Sequence, residues 1–416
     1  MRHLFGRLGM MSISLAVSCG LAAANDPLAA FMGSINDLFK GNGDGFVIYT
    51  GLHERYGAMT ASERRQAGQL MSMADAMFGR YTDADAHYAD SFPAKPLPTC
   101  PSAPFQKQPM AEAIVRVAGD ARVLMINESH SSVSTRAAII DALPALRKAG
   151  FTAIALEALN PEHADDFVGA GHKKHDAYVR DGVEAGFYLR EPVYAQLVNE
   201  ARRLDYDFVA YEASDTTHDT REEQQAANLM RWMDKHPEAR VVLVGGYSHI
   251  WKTSDWMAGK LMAAGMRSVV SVDQIDAIHG CRGGSDTRSP SLWLEPDGHA
   301  WSSHPERLDA TVTGMPPAAR GQGTNWLTLG GRRQPVDIAR PCAGVRPCLL
   351  EARKPGEADG VPEDRLVLFG KGEHATLYVA PGSYVLTSRT KDDQSQTALQ
   401  IAAPLGARVG KPLGPT

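Results

Sequence analysis

The fold is decided by residues 122–157, RVLMINESHSSVSTRAAIIDALPALRKAGFTAIALE. Two short apolar runs, at 122–126 and 152–157, flank a stretch in which Ile139, Leu143 and Leu146 recur at helical spacing. Apolar runs that alternate with amphipathic helices are typical of parallel strands joined by crossover helices. The runs lack polar alternation, so we predict strands that are covered on both faces.

The same alternation continues over residues 110–280, and the surrounding segments differ from it in pattern. The five predicted strands are Arg122–Ile126, Thr152–Glu157, Asp207–Glu212, Arg240–Gly245 and Ser268–Asp273. Residues 25–109 are predicted to form a helical segment and a proline-rich linker, and residues 281–416 a loop-rich region with a small antiparallel β unit. The β unit is predicted from alternating runs at 366–369, 375–379, 384–389 and 397–401. The predicted fold class is therefore α/β, with a parallel-sheet core and flanking helices.

The composition excludes several classes of protein. The 416 residues include 43 Lys plus Arg and 48 Asp plus Glu, for a formal net charge of −5, and 44% are hydrophobic. This balance excludes a mainly disordered chain, which needs low hydrophobicity and high net charge. No basic run provides the clustered Lys and Arg that nucleic-acid binding requires. The expected partner is a small-molecule or peptide substrate.

The N-terminus predicts export. Residues 1–24 combine a basic start, an apolar run too short to span a membrane and a small-residue end, which is typical of a secretory signal peptide cleaved near Ala24. We therefore expect a secreted or periplasmic protein with no transmembrane segment in the mature chain. A lipoprotein acylated at Cys19 is disfavoured because Ala16 stands where such sequences usually have Leu.

The cysteine count fits an oxidising compartment. Four cysteines remain after cleavage, and an even number in an exported protein predicts disulfides. They are Cys100, Cys281, Cys342 and Cys348. Three pairings are open, including one in which Cys342 and Cys348 close a short loop.

Polar residues that suit catalysis follow the predicted strands. Glu128 and His130 follow the first strand, Glu157 ends the second, and His249 follows the fourth. Ligands bind beyond the carboxyl ends of parallel strands, so these side chains are expected at one sheet edge. Each residue alone has a structural interpretation as a cap or an ion pair. Their convergence favours a functional site, because buried carboxylates and imidazoles are costly unless paired.

Four further residues are predicted to bind substrate at the same edge: Arg190, Glu212, Arg221 and Tyr247. Arg190 precedes a predicted helix and can grip an anionic group with two hydrogen bonds, although a solvated pair with Glu191 is an equal alternative. Glu212 ends the third predicted strand, Arg221 opens the helix after it, and Tyr247 belongs to the turn that carries His249.

Two chemistries are compatible with this set. A histidine held by a carboxylate can remove a proton from water directly. Glu128, His130, Glu157 and His249 can instead hold a catalytic divalent metal such as Mn²⁺, Zn²⁺ or Co²⁺ with a bound water. Both lead to hydrolysis, and the sequence leaves the choice open. Serine catalysis is disfavoured because the turn at 246–250 lacks the second glycine of a nucleophile elbow.

The motifs NESH (127–130), LE (156–157) and GYSH (246–249) resemble those of the erythromycin esterase-like and ChaN/Tiki-like superfamily. The resemblance covers about residues 110–280 and extends to an uncharacterised, exported bacterial branch of that group. It implies functional roles for Glu128, His130, Glu157, Gly246 and His249. Asn127 departs from the pattern, since relatives often have glycine there.

The superfamily includes esterases, metal-dependent proteases and a haem-uptake lipoprotein, so the resemblance implies a site more firmly than a substrate. The favoured function is an exported hydrolase of an ester or amide bond. The alternative is a haem- or ligand-binding uptake protein without catalysis, and haem would then be the cofactor. A third reading is a surface interaction protein that acts through its C-terminal β unit.

Overall fold

The computed structural model describes residues 26–93, 96–159, 178–182, 186–213, 218–283, 289–316, 320 and 326–402. The expected signal peptide and Cys19 lie outside these ranges. The helices are α1 (Pro27–Lys40), α2 (Gly45–Ala58), α3 (Ala61–Met77), α4 (Tyr81–Ser91), α5 (Met110–Ala118), α6 (Ser134–Lys148), α7 (Pro192–Arg203), α8 (His218–Lys235) and α9 (Met257–Ala263).

The strands are β1 (Gln106–Pro109), β2 (Val123–Glu128), β3 (Ala153–Leu156), β4 (Asp207–Ala210), β5 (Val241–Gly246), β6 (Val269–Asp273), β7 (Ser291–Leu294), β8 (Ala310–Thr311), β9 (Gln334–Asp337), β10 (Cys348–Arg353), β11 (Asp364–Leu368), β12 (Thr376–Val379), β13 (Gly382–Arg389) and β14 (Gln394–Ile401). No helix within the described ranges is long and apolar enough to cross a membrane.

The predicted α/β class is confirmed. A central sheet has the order β4-β3-β5-β2-β6-β8, and all of its strand pairs are parallel. Leu124 and Ile126 pack with helices α5 to α7 on one face, and Val123 and Met125 pack with α8 and α9 on the other. Both faces are thus covered, as the unbroken apolar runs predicted. The chain enters at β2 in the middle of the sheet and later returns to place β5 beside it, which brings the ends of β2, β3 and β5 together.

Two expectations about the flanking regions need correction. The end of the segment 25–109 was expected to be a proline-rich linker, but β1, at residues 106–109, pairs antiparallel with β7. The loop-rich region after 280 adds β8 to the parallel sheet, so the core extends beyond the expected boundary. A two-residue strand is too short to produce a recognisable alternation in sequence.

The C-terminal β unit is present, although one of its strands differs from the prediction. Its sheet has the order β11-β10-β13-β14, whereas β12, from the run at 375–379, pairs with β9 outside that sheet. β10 was not among the predicted strands. Its neighbouring residues Leu349 and Leu350 lie on opposite faces, the first against helices α1 to α3 and the second against the rest of the β unit, so the start of the strand shows no alternation.

Disulfides are present, as the cysteine count predicted. Of the pairings left open, the structure has Cys100–Cys281 and Cys342–Cys348. The first joins the start of the core, before β1, to the segment after β6, and the second closes a short loop before β10. The two cysteines lie 181 residues apart in the first disulfide and 6 residues apart in the second. They therefore restrict the unfolded chain to very different extents.

Protein isolated from an oxidising compartment should show no free thiol when it is titrated in denaturant. Replacing Cys100 and Cys281 together by alanine should lower the free energy of unfolding by about 5 kcal/mol, against about 2 kcal/mol for the Cys342 and Cys348 pair, because the longer loop restricts the unfolded chain more. Urea unfolding of both double variants measures the difference. Four thiols in the untreated protein, or a larger loss from the short loop, would contradict the prediction.

Candidate active site

The site lies at the carboxyl ends of β2, β3 and β5. Glu128 is the last residue of β2, Glu157 follows β3, and His249 lies in a short 3-10 turn directly after β5. His130 follows Glu128 by two residues. All four side chains are buried, with 2% of Glu128 and His130, 6% of Glu157 and 5% of His249 exposed. The strand ends thus bring together the four residues that the sequence indicated.

His130 is held by Glu128. Its Nδ1 lies 2.5 Å from Glu128 Oε1, and the other carboxylate oxygen accepts from Arg136 Nε at 2.8 Å. Burial alone would raise the pKa of Glu128, but Arg136 and His130 outweigh it and the pKa is lowered. The ionised carboxylate therefore favours a proton on Nδ1 of His130. This leaves Nε2 as the basic nitrogen of the neutral ring.

His130 Nε2 is buried and has no hydrogen-bond partner among the described residues. The ring stacks on Tyr188, with centroids 4.3 Å apart, and meets Tyr247 edge-on at 5.0 Å. A Cβ atom added at Gly246 would lie 2.7 Å from Nε2 and 3.2 Å from Glu157 Oε2. Glycine is therefore needed at this position, because it lets the imidazole lie against the end of β5 beside Glu157.

Glu157 is the centre of the second half of the site. Its Oε2 accepts from the backbone N–H of Gly246, and its Oε1 accepts from Arg221 at 2.8 Å. His249 Nε2 lies 3.5 Å from the same Oε1. Burial would raise the pKa of Glu157, but His249, Arg221 and His130 hold it well below its usual value. Glu157 is therefore an anion shared by several cationic groups.

His249 lies between two carboxylates. Its Nδ1 is 2.8 Å from Glu222, which also accepts from the backbone N–H of Met257 at the start of α9. Burial would lower the pKa of His249, but Glu157 and Glu222 outweigh it and raise the pKa to about 9. Arg221 lies 3.1 Å from Nε2. Glu157 and Glu222 therefore favour the imidazolium form of His249 near neutral pH, against Arg221, whose N–H groups favour the neutral ring.

Of the four expected substrate-binding residues, three lie near this centre. Arg221 also binds Glu212, with its Nε 3.0 Å and its Nη2 2.6 Å from the two carboxylate oxygens, and Tyr247 contacts His130. Arg190 does not, and its assignment needs correction: its guanidinium binds Asp181 at 3.2 Å and the carbonyl oxygen of Leu38 at 3.1 Å.

Four residues with structural roles at the site were not singled out from the sequence: Arg136, Tyr188, Glu191 and Glu222. Arg136 and Glu222 lie on helices, where a charged residue usually faces solvent, so position alone gave no reason to select them. Tyr188 lies two residues before Arg190, and the short 3-10 turn at 187–190 directs the tyrosine to His130. Glu191 caps α7 and binds Arg136 at 3.0 Å.

The donor set does not fit a metal ion. No group of three or more His, Cys, Asp or Glu side chains arranged to hold a metal occurs among the described residues. Both oxygens of Glu128 and both of Glu157 already accept from nitrogen donors, and His249 Nδ1 faces Glu222. A divalent cation would also lie against two guanidinium groups.

Haem fits no better. Tyr188 and Tyr247 contact the ring of His130, and His249 Nε2 faces Arg221 and Glu157. His249 Nε2 is therefore already paired, and the His130 ring is covered by two tyrosine rings where a planar macrocycle would have to lie.

Comparison with known proteins gives little further information. No protein-family model and no curated protein matches the chain. Among solved structures, the chain is similar to the C-terminal region of Pasteurella multocida toxin, in which a thiol-protease like catalytic triad is described, with 14% sequence identity and a TM-score of 0.28. The alignment covers 45% of this chain and 27% of that one, so the chain spans about a quarter of that protein's length.

The raised pKa of His249 predicts a pH-dependent stability. The folded value of about 9 lies above the unfolded value of 6.5. The stabilisation is therefore fully present below pH 6.5 and is lost as pH rises through 9. The free energy of unfolding should fall by on the order of 3 kcal/mol across this window. Urea unfolding of wild type and His249→Gln should show that the variant lacks most of this slope. The exposed His279→Gln variant is the control, and an unchanged slope in His249→Gln would refute the assignment.

Proposed function

We propose that the protein is an exported hydrolase of an ester or amide bond, related to the erythromycin esterase-like and ChaN/Tiki-like superfamily. The observation that carries the proposal is the buried His130, which is held through Nδ1 by Glu128 while its Nε2 has no partner among the described residues. A histidine oriented by a carboxylate with one nitrogen available is the arrangement of a general base. The two disulfides support export to an oxidising compartment.

Water is the nucleophile in this proposal. Within the described ranges, neither imidazole is hydrogen-bonded to a serine or cysteine side chain, and the four cysteines found there form disulfides. Ser129 Oγ lies 3.1 Å from Ser131 Oγ and accepts from the backbone N–H of Ser132. His130 Nε2 removes a proton from water, and the resulting oxygen attacks the carbonyl carbon of a small-molecule or peptide substrate.

His249 serves as the general acid. Its imidazolium donates the Nε2 proton to the leaving oxygen or nitrogen as the bond to the carbonyl carbon breaks. The neutral ring that results can accept from Arg221 at 3.1 Å, so His249 has a partner in both protonation states. The proton taken by His130 is returned to solvent and that lost by His249 is regained, which completes the cycle.

Charge at the centre suits the developing oxyanion. Arg221 and protonated His249 lie on one side of Glu157 and are favourably placed to stabilise negative charge. The exposed fraction of the side chain increases from His249 to Arg221, which is 13% exposed, and again to Glu212, which is 22% exposed. Substrate therefore approaches past Arg221 and Glu212, which are binding residues in this proposal.

Replacing either histidine should remove activity. We expect His130→Ala and His249→Ala each to reduce kcat/KM by about 10²–10⁴-fold on a substrate that the wild type cleaves, with the double variant losing less than the product of the two. A panel of p-nitrophenyl and alkyl esters separates their roles. His249→Ala should affect alkyl esters more, because p-nitrophenolate leaves without a proton, whereas His130→Ala should affect both alike. The exposed His279→Ala variant is the control, and full turnover by both active-site variants would overturn the proposal.

Chelation tests the direct acid–base route against the metal route. Dialysis against EDTA should leave turnover within about twofold of the untreated enzyme, because the site carboxylates are already paired with nitrogen donors. Elemental analysis of the purified protein should find no stoichiometric Mn, Zn or Co. Loss of activity on chelation, with recovery when one of these ions is added back, would show that the ion carries the chemistry.

A further inference from the structure

A cleft lies in the C-terminal part of the chain, on elements that do not contribute to the strand-end site. It has a volume of about 490 Å³ and opens between the segment 337–346 after β9 and the segment 371–375 before β12. This volume lies in the range of small-molecule binding sites. The cleft is therefore large enough for a ligand of its own.

Cationic side chains dominate the cleft. Arg340, Lys371 and His374 line it and are exposed, and none of their side-chain nitrogens forms a hydrogen bond or ion pair within the described residues. Arg346 also lines the cleft. The charges of Arg340 and Lys371 are thus available to a ligand, and the Arg340 guanidinium has the fork geometry that suits an oxyanion.

The carboxylates in the cleft do not cancel this charge. Glu373 is paired with Arg80 at 2.7 Å and accepts from the backbone N–H of Phe369 at 2.7 Å, which lowers its pKa against the effect of burial. Asp337 accepts from the hydroxyl of Thr376 at 2.6 Å. With Arg80 offsetting Glu373, the charge of the cleft is positive overall.

The backbone of the cleft is strained and firmly held. Arg340, Cys342 and Ala343 have φ values of 48°, 51° and 52°, which non-glycine residues rarely adopt. Such residues cluster at active sites and where ligands are bound. The disulfide from Cys342 closes this loop, and Arg346 ties it to the opposite one through the carbonyl oxygens of Pro341 at 3.1 Å and Gly370 at 3.2 Å.

We propose that this cleft binds a small organic oxyanion, a carboxylate or a phosphate ester, that carries an apolar group. Arg340 and Lys371 bind the oxyanion. Ile338, Pro341 and Ala375 supply apolar surface for the rest of the ligand. The cleft and the hydrolase centre share no residue.

Titration calorimetry with benzoate, phenyl phosphate and uncharged benzyl alcohol tests the proposal on the full-length mature protein. Benzoate or phenyl phosphate should bind saturably, and the tighter of the two identifies the oxyanion. Benzyl alcohol should bind at least tenfold more weakly, because it lacks the charge. Raising NaCl from 50 to 300 mM should weaken binding of the anion severalfold, as expected for an exposed charged site.

Substitutions of the cleft residues test whether the anion binds in the cleft. Arg340→Gln and Lys371→Gln should each weaken binding at least fivefold, and the double variant should abolish it, while Lys148→Gln on the exposed end of α6 leaves it unchanged. Both cleft residues are exposed, so circular dichroism and ester turnover should match those of the wild type. The proposal is overturned if neither anion binds up to 10 mM, if benzyl alcohol binds as well as benzoate, or if Lys371→Gln binds like the wild type.

Discussion

A buried carboxylate must meet a cation or several hydrogen-bond donors, and this constraint organises the whole sheet edge. An unpaired charge in such a position costs several kcal/mol. The structure meets the constraint by placing each of two arginines between two carboxylates. Arg136 lies between Glu128 and Glu191, and Arg221 lies between Glu157 and Glu212. The arginines therefore tie helices α6 and α8 to the strand ends.

The same pairing decides which chemistry the edge suits. Each oxygen of Glu128 and Glu157 has a nitrogen donor, so these groups orient their neighbours rather than bind a further cation. A divalent ion would have to displace Arg136 and Arg221 together, which leaves two guanidinium groups to be paired elsewhere. Two histidines oriented by these carboxylates require no such rearrangement. Among the residues that the structure describes, Nε2 of His130 has no hydrogen-bond partner, and His249 is held protonated by Glu157 and Glu222.

The sequence predicted the residues that belong to the strand ends better than those that come from helices. Glu128, Glu157 and His249 were located because parallel strands end at one edge, which makes their proximity a consequence of topology. Glu222 and Arg136 were missed because charged helical residues usually face solvent, and only the three-dimensional packing turns them inward. Arg190 was misassigned because the sequence does not show which way its side chain points.

The 3-10 turn at 187–190 sends Arg190 to Asp181 and Tyr188 to His130, and no spacing in the sequence distinguishes the two directions. In the C-terminal unit, the sequence did not indicate which strands pair with each other. β12 and β9 are far apart in the chain, and β10 has apolar residues on both faces.

Helix α4, the last of the N-terminal helices, contacts the site directly. Tyr81, Asp85 and Tyr88 recur at helical spacing and lie on one face of α4. Tyr81 donates to Glu191 at 3.0 Å, Asp85 accepts from Ser132 just after His130, and Tyr88 stacks on Tyr247. Glu191 binds Arg136, Tyr247 contacts His130, and Ser132 follows His130 by two residues. Because the charge pairs at the strand ends leave little freedom for adjustment, a shift of this helix would be felt at both histidines.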